Sequence, residues 1–130
     1  MIYLDSSAVL KLLVEESESG ALAAWLLERV TIPVISSELA RLEVVRAARR
    51  LDPGIVSAAR LLISQLDLLP LSGEVIGAAA DIGEPMLRSL DAIHLTSALS
   101  VREDLTAFVA YDLRLVGAAH SAGLQVDRPS

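Results

Sequence analysis

Short, continuously apolar runs of strand length alternate along this chain with longer helical patterns, and this alternation is the feature that most constrains its fold. The predicted strands cover residues 2–4, 31–35, 66–71, 106–111 and 123–126. Strands that are apolar on both faces and separated by helices are typical of a parallel sheet covered by helices on both sides. We therefore predict an α/β fold.

Helical patterns fill the segments between the predicted strands, and no repeat, low-complexity run or linker divides the 130 residues. A chain of this length forms one ordinary hydrophobic core. We therefore predict a single domain over residues 1–130. The predicted helices cover residues 8–14, 19–29, 36–51 with its serine cap, 54–65, 73–87, 90–102 and 113–121.

Composition removes several classes of chemistry. The chain has no cysteine, so disulfide scaffolds, zinc–thiolate sites, iron–sulfur clusters and cysteine nucleophiles are excluded. Oxygen and imidazole are the only metal ligands left. No run approaches the ~18 apolar residues that span a bilayer, and the first residues lack a basic leader, so we expect a soluble, cytoplasmic protein.

The net charge of −6 disfavours broad electrostatic binding of nucleic acid. The arginines are nevertheless concentrated, because Arg41, Arg46, Arg49 and Arg50 lie in one short helical segment. Such a segment is typical of a solvated helix face, and it is also compatible with a local contact to phosphate groups. The sequence leaves both interpretations open.

Two of the strongest predicted strands end on an aspartate, at Asp5 and at Asp112. Because the carboxyl ends of parallel strands meet at one edge of the sheet, where ligands bind in such folds, we expect the two side chains to lie together. The alternative is that each aspartate only caps the helix that follows it. Ser6 and Ser7 are equally good caps, so capping does not require the carboxylate of Asp5.

Asp91 lies on the same helical stripe as Leu95 and Leu99, which points it toward the core side. A carboxylate placed there needs a cation, a hydrogen-bond donor or a metal ion beside it. Arg102 is about three turns away and too far to pair with it. An interaction of Asp91 with the dipole at the start of its helix is the alternative.

The helix that begins at the serine pair carries two glutamates on different faces. Glu43 lies on the flank of the apolar stripe and is directed toward the sheet, whereas Glu38 lies on the opposite side and is expected to be solvated. Arg46 and Arg50 are close enough along the helix to pair with Glu43 or to meet a phosphate group.

Four carboxylates at one sheet edge repel each other unless a cation neutralises them, and a set of oxygen ligands selects Mg²⁺ or Mn²⁺. Such ions polarise a phosphodiester and lower the pKa of a bound water, which is the chemistry of phosphoryl transfer. An acidic protein can then bind an anionic substrate through its metal ions.

Residues 3–8 (YLDSSA), Glu43, residues 90–98 (LDAIHLTSA) and residues 111–115 (YDLRL) together resemble a PIN domain, and VapC-type toxin ribonucleases most of all. The resemblance extends over the whole chain in order and spacing. It implies a three-layer α/β/α sandwich with a central parallel sheet of four to five strands. It also implies an endoribonuclease dependent on Mg²⁺ or Mn²⁺, a homodimer, and inhibition by a cognate VapB-like antitoxin.

Carried over by position, the resemblance makes Asp5, Glu43, Asp91 and Asp112 the catalytic acids that bind the metal, with Ser7 as a supporting residue. One position departs from the family pattern. The family often has threonine or serine two places before the last aspartate, where this chain has Ala110. A supporting hydroxyl is therefore lost beside Asp112.

Other enzyme classes fit less well. Phosphohydrolases with an aspartate nucleophile and receiver-like signalling modules both need a late lysine, and Lys11 is the only lysine of the chain. The G-x-S-x-G element of a Ser-His-Asp hydrolase is absent, so we expect His94 and His120 to be packed or surface residues. A PIN-like domain that binds a partner but cuts weakly, or a receiver-like module, is the alternative to the ribonuclease.

Overall fold

The computed structural model describes all 130 residues and contains one sheet of five parallel strands in the order β3-β2-β1-β4-β5. The α/β class and the strand number are thereby confirmed. The first strand in the sequence, β1, is the central strand of the sheet, with β2 on one side and β4 on the other. The strands are β1 Ile2–Leu4, β2 Val34–Ser37, β3 Asp67–Leu69, β4 Ala107–Val109 and β5 Val126–Asp127.

Seven α-helices connect and cover these strands, and two short 3₁₀ turns complete the fold at Pro53–Ile55 and Arg102–Asp104. None of the helices is long and apolar enough to cross a lipid bilayer. The helices are α1 Ser6–Lys11, α2 Ser19–Leu27, α3 Glu38–Leu51, α4 Val56–Ser64, α5 Gly73–Ala79, α6 Ser89–Leu99 and α7 Leu113–Ser121.

The sheet has an apolar core on each of its faces, as the strand alternation requires. Ile2 and Leu4 of β1 pack on one face with residues of α1, α2, α3 and α4, and Tyr3 packs on the other with residues of α6 and α7. Helices on both faces make the three-layer α/β/α sandwich that the resemblance implied.

The helix predicted over residues 73–87 is shorter than expected, because α5 ends at Ala79. Gly83 has a φ of 71° and Pro85 follows it, so the chain turns where the alanine-rich pattern would have continued as helix. The first predicted helix also differs, since α1 begins at Ser6 and ends at Lys11. The pattern located both elements correctly and misplaced their ends.

The register of the central strands places the functional candidates at one edge. Leu4 of β1 pairs with Val109 of β4, and the backbone N–H of Asp5 donates a hydrogen bond to the Val109 carbonyl at 3.2 Å. The residues that follow β1 and β4 therefore leave the sheet side by side. The helix α3 begins directly after β2 on the same edge.

Candidate active site

Asp5 occupies the buried centre of the site. Its side chain caps α1, because Oδ1 accepts a hydrogen bond from the backbone N–H of Ala8 at 2.9 Å, and only 4% of the residue is exposed. The Ser7 hydroxyl donates to both carboxylate oxygens of Asp5 at 2.9 and 3.0 Å. Asp5 itself is therefore the cap, as the capping alternative predicted, and Ser7 contacts Asp5 and does not cap the helix.

Burial raises the pKa of the Asp5 carboxyl above its ordinary value. The negative charge of Asp91 raises it further, whereas His94 and the hydrogen bonds from Ala8 and Ser7 lower it without reversing the shift. The carboxylate is thus held at a desolvated position where these contacts compensate only part of the cost of burial. This is the kind of position at which a bound cation stabilises the charged form.

Asp112 begins α7 with the same geometry. Its Oδ1 accepts from the backbone N–H groups of Arg114 at 3.0 Å and Leu115 at 3.1 Å, which leaves Oδ2 directed away from the helix. Ala110 is fully buried and offers no hydroxyl. The helix N-terminus therefore orients this carboxylate without the side chain that the family often has there.

Asp91 lies in the first turn of α6 with 13% of its side chain exposed, and it has the cation that the sequence required. That cation is Arg88, whose Nε and Nη2 lie 3.0 and 2.9 Å from Asp91 Oδ2. Arg88 Nη2 is also 3.5 Å from Asp112 Oδ2. Sequence reasoning missed Arg88, although its position three residues before Asp91, just ahead of the helix, was a usable signal.

Glu43 of α3 is directed toward the same edge, as predicted, and 26% of its side chain is exposed. It accepts hydrogen bonds from the Ser6 hydroxyl at 2.6 Å and from His94 Nε2 at 2.9 Å. Neither Arg46 nor Arg50 pairs with it, so the first of the two alternatives for these arginines is wrong and the contact to a phosphate group stays a prediction. Those arginines are exposed and line an adjacent groove.

Burial raises the pKa of the Glu43 carboxyl, but the hydrogen bonds from His94 and Ser6 outweigh this effect, so the net pKa is below its ordinary value. Glu43 is therefore held as a carboxylate. Glu38, by contrast, is directed to solvent and pairs with Arg41, as its position on the opposite helix face predicted.

His94 is packed, as predicted, with 2% exposure, while His120 is exposed on α7. The prediction did not include a role for His94 in the site. Its Nδ1 lies 2.8 Å from the Tyr3 hydroxyl and its Nε2 contacts Ser6 and Glu43. His94 is thus the second residue, with Arg88, that the sequence pattern did not identify.

Arg88 contacts Asp91 and Asp112, and Glu43 lies beside His94. Asp5 is close enough to Asp91 for the two negative charges to interact. No group of three or more acidic or histidine side chains is close enough to hold one metal ion in this arrangement. The chemistry of the donors nevertheless fits Mg²⁺ or Mn²⁺, because every candidate ligand is a carboxylate oxygen. The Arg88 guanidinium supplies positive charge between two of these carboxylates.

A groove of about 360 Å³ adjoins Glu43 and leads away from the acids along α3. Its lining combines two arginines, two serines and Glu43 with leucine, valine and alanine side chains. The side chains that line it include Ser6, Ser7, Leu42, Arg46, Arg50 and Leu90. The groove thus joins positive charge to the acidic edge.

Comparison with known proteins identifies the family to which this fold belongs. The family model described as "PIN domain" matches residues 2–120. Ribonuclease VapC47 of Mycobacterium tuberculosis (strain CDC 1551 / Oshkosh) is 43% identical over 132 residues, covering 99% of this chain and 97% of that protein. Ribonuclease VapC46 of Mycobacterium tuberculosis (strain ATCC 25618 / H37Rv) is 43% identical over 129 residues, covering 99% and 98%.

The fold is also similar to that of solved toxins. Mycobacterium tuberculosis VapC20, a sarcin-ricin loop cleaving toxin, superimposes with a TM-score of 0.78 at 16% identity, over 99% of this chain and 100% of that one. VapBC2 from Rickettsia felis, bound to a DNA fragment from its promoter, gives a TM-score of 0.71 at 10% identity over 100% of each chain. With the family model matching most of its length and the VapC relatives aligning along nearly all of it, the chain belongs to the PIN domain family, in its group of VapC-type ribonucleases.

Proposed function

We propose that this protein is a metal-dependent endoribonuclease that acts in the cytoplasm as the toxin of a VapBC-like toxin–antitoxin pair. The observation that carries the proposal is that Asp5 and Asp112 lie side by side at the carboxyl edge of the parallel sheet, directly after β1 and β4. Arg88 joins Asp91 to Asp112, and Glu43 contacts Ser6, which follows Asp5. Relatives named as VapC ribonucleases at 43% identity support the same activity.

The four acids are proposed to hold Mg²⁺ or Mn²⁺. When bound, such an ion supplies polarisation of the phosphodiester and activation of the attacking water. Helix N-termini orient Asp5 and Asp112, Ser7 fixes both oxygens of Asp5, and His94 and Ser6 orient Glu43. Arg88 is 65% exposed, so its guanidinium can leave the carboxylates and meet a phosphate group of the substrate.

The RNA backbone is proposed to follow the groove beside Glu43. Arg46 and Arg50 line it and form no ion pair within the chain, so their guanidinium groups are available to phosphate oxygens. A local contact of this kind resolves the conflict between an anionic substrate and a net charge of −6.

The first test is cleavage of a labelled RNA by the purified protein with Mg²⁺, with Mn²⁺ and with EDTA. We expect cleavage with either ion and none in EDTA, with activity restored when Mn²⁺ is added in excess. Binding of the RNA without cleavage would instead support a PIN-like domain that has lost its activity. Cleavage of a matched single-stranded DNA would widen the substrate class, and full activity in EDTA would overturn the metal-dependent reaction.

The partners are proposed to be a second copy of this chain and a small VapB-like antitoxin. An antitoxin that inserts an arginine among Asp5, Asp91 and Asp112 could replace the metal charge with a bidentate contact. The Arg88 contacts at 2.9 and 3.5 Å show that a guanidinium fits between two of these acids.

We expect the antitoxin encoded next to this gene to abolish RNA cleavage at a stoichiometric ratio and to co-purify with the protein. Size-exclusion chromatography with light scattering checks both the complex and the dimer. Expression of the protein alone without any effect on growth or RNA integrity would contradict the assignment as a toxin.

A further inference from the structure

A buried chain of polar contacts runs from the core of the sheet to the acidic edge. The Tyr3 hydroxyl lies 2.8 Å from His94 Nδ1, and His94 Nε2 lies 2.9 Å from Glu43 Oε1. Ser6 completes the contact, since its hydroxyl donates to the same Glu43 oxygen at 2.6 Å and lies 2.9 Å from His94 Nε2. Tyr3 and His94 are both closed off from solvent.

The chemistry of these groups determines where the hydrogens lie. A glutamate carboxylate can only accept, so the hydrogen between Glu43 and His94 belongs to Nε2 of the imidazole. In the neutral ring, Nδ1 is then an acceptor, and the Tyr3 hydroxyl is the donor placed beside it. Glu43 and Tyr3 thereby favour the same tautomer of His94, the one that donates to Glu43.

Packing fixes both rings. The Tyr3 ring stacks on Phe108 with centroids 5.3 Å apart and planes at 13°, and the His94 ring meets the Tyr3 ring edge-on at 78°. Neither ring can rotate without disturbing the core, so the Nε2–H group has one direction. Glu43, by contrast, sits on a flexible side chain that is partly exposed.

We propose that Tyr3 and His94 form a positioning pair that orients the Glu43 carboxylate for metal and substrate through a fixed Nε2–H donor. This inference rests on the proposed ribonuclease function. Both residues are buried and neither is exposed to a bound substrate, so both act through Glu43 and are positioning residues. Groups that orient metal-binding side chains in this way change metal affinity or activity by about 10–100-fold when they are removed.

Two amide substitutions of His94 separate positioning from packing. Glutamine places its amide nitrogen near the position of Nε2, and asparagine places its amide near the position of Nδ1. His94→Gln therefore keeps the hydrogen-bond donor to Glu43. His94→Asn keeps a hydrogen-bond partner for Tyr3 but loses the donor to Glu43. We expect His94→Asn to lower kcat about 10–100-fold and weaken Mn²⁺ binding measured by calorimetry, with KM for RNA changed less than threefold.

For His94→Gln we expect kcat within about threefold to fivefold of the parent, and thermal melts of the two variants report their packing separately. His120→Asn, on the exposed histidine of α7, is the matched control and should leave kcat unchanged. Equal kcat values for the two folded His94 variants would overturn the positioning role. The two variants differ in whether a donor to Glu43 remains, and an effect of packing alone would not depend on that donor.

A measurement on the unsubstituted protein keeps the inference testable if His94→Asn does not fold. Long-range ¹H–¹⁵N spectra of the metal-free protein should show a proton on Nε2 of His94, and Tyr3→Phe should shift the Nδ1 resonance, because the hydroxyl beside it is lost, without moving the proton from Nε2. A proton found on Nδ1 alone would overturn the proposal. The spectra do not depend on RNA cleavage. An absence of cleavage by the parent would therefore count against the ribonuclease function only, and the spectra would still test the contact between His94 and Glu43.

Discussion

Asp5→Asn and Asp91→Asn are each expected to lower the rate of RNA cleavage by about 10³-fold or more, because ligands of one metal site act as a unit. Asn keeps the shape of each side chain and, at position 5, an oxygen that can still cap α1 through the Ala8 N–H. The substitution therefore removes the negative charge and leaves the fold in place. Initial rates at saturating Mn²⁺ measure the effect.

Glu38→Gln is the matched control, since it removes one carboxylate of the same chain at a position that is exposed and paired with Arg41. We expect its rate to stay within about twofold of the parent, as surface substitutions of this kind have little effect. If Glu38→Gln were as damaging as Glu43→Gln, the assignment of the two faces of α3 would be wrong. If Asp5→Asn cleaved RNA at the parental rate, Asp5 would not be a metal ligand.

The sheet and the edge that carries the acids could be predicted from the sequence, because both depend on local patterns. Residues 2–4 and 106–111 are apolar on both faces and end in Asp5 and Asp112, and the parallel arrangement then brings the two aspartates together. The period of α3 was also sufficient to separate Glu43 from Glu38. These predictions need only the residue at which a strand ends and the face of the helix on which a residue lies.

The partners of these acids could not be predicted, because they depend on side chains that are far apart in the sequence. His94 is 51 residues from Glu43 and 91 from Tyr3, and no local pattern specifies that the three meet. Arg46 and Arg50 are closer to Glu43 along α3 but form no contact with it and line the groove instead. The partner of Glu43 is therefore determined by how α6 packs beside α3 at the edge of the sheet. It is not determined by which residues are close to Glu43 on its own helix.

Asp5→Asn is expected to stabilise the metal-free protein at neutral pH, even though it abolishes activity. Burial raises the pKa of Asp5, so between its ordinary pKa and its higher pKa in the native state the native protein binds more protons than the unfolded chain. Stability therefore falls as pH rises through that interval, and the full penalty is present once the pH lies above the native-state pKa. The Asn variant carries no such penalty.

The difference in melting temperature between Asp5→Asn and the parent, both in EDTA, should accordingly be positive at pH 7 and vanish below about pH 3.9, the ordinary pKa of aspartate. Glu43 contributes with the opposite sign, because its lowered pKa adds stability that is present above its ordinary pKa and is lost as pH falls through its native value. Comparing variant and parent at each pH cancels the contribution of Glu43. A variant that melts lower than the parent at pH 7 would show that the carboxylate of Asp5 stabilises the empty site.

Mn²⁺ should reverse the order of the two proteins. At a concentration about 100 times the dissociation constant, an ion that binds only the native state adds ~2.7 kcal/mol, which is on the order of 10 °C in melting temperature for a chain of this length. The parent should gain this amount and Asp5→Asn only a small part of it, while Glu38→Gln should gain as much as the parent. An equal gain for the parent and Asp5→Asn would place the ion elsewhere on the protein. A site that opposes folding when empty and supports it when filled stabilises the active form of the enzyme only where metal is available.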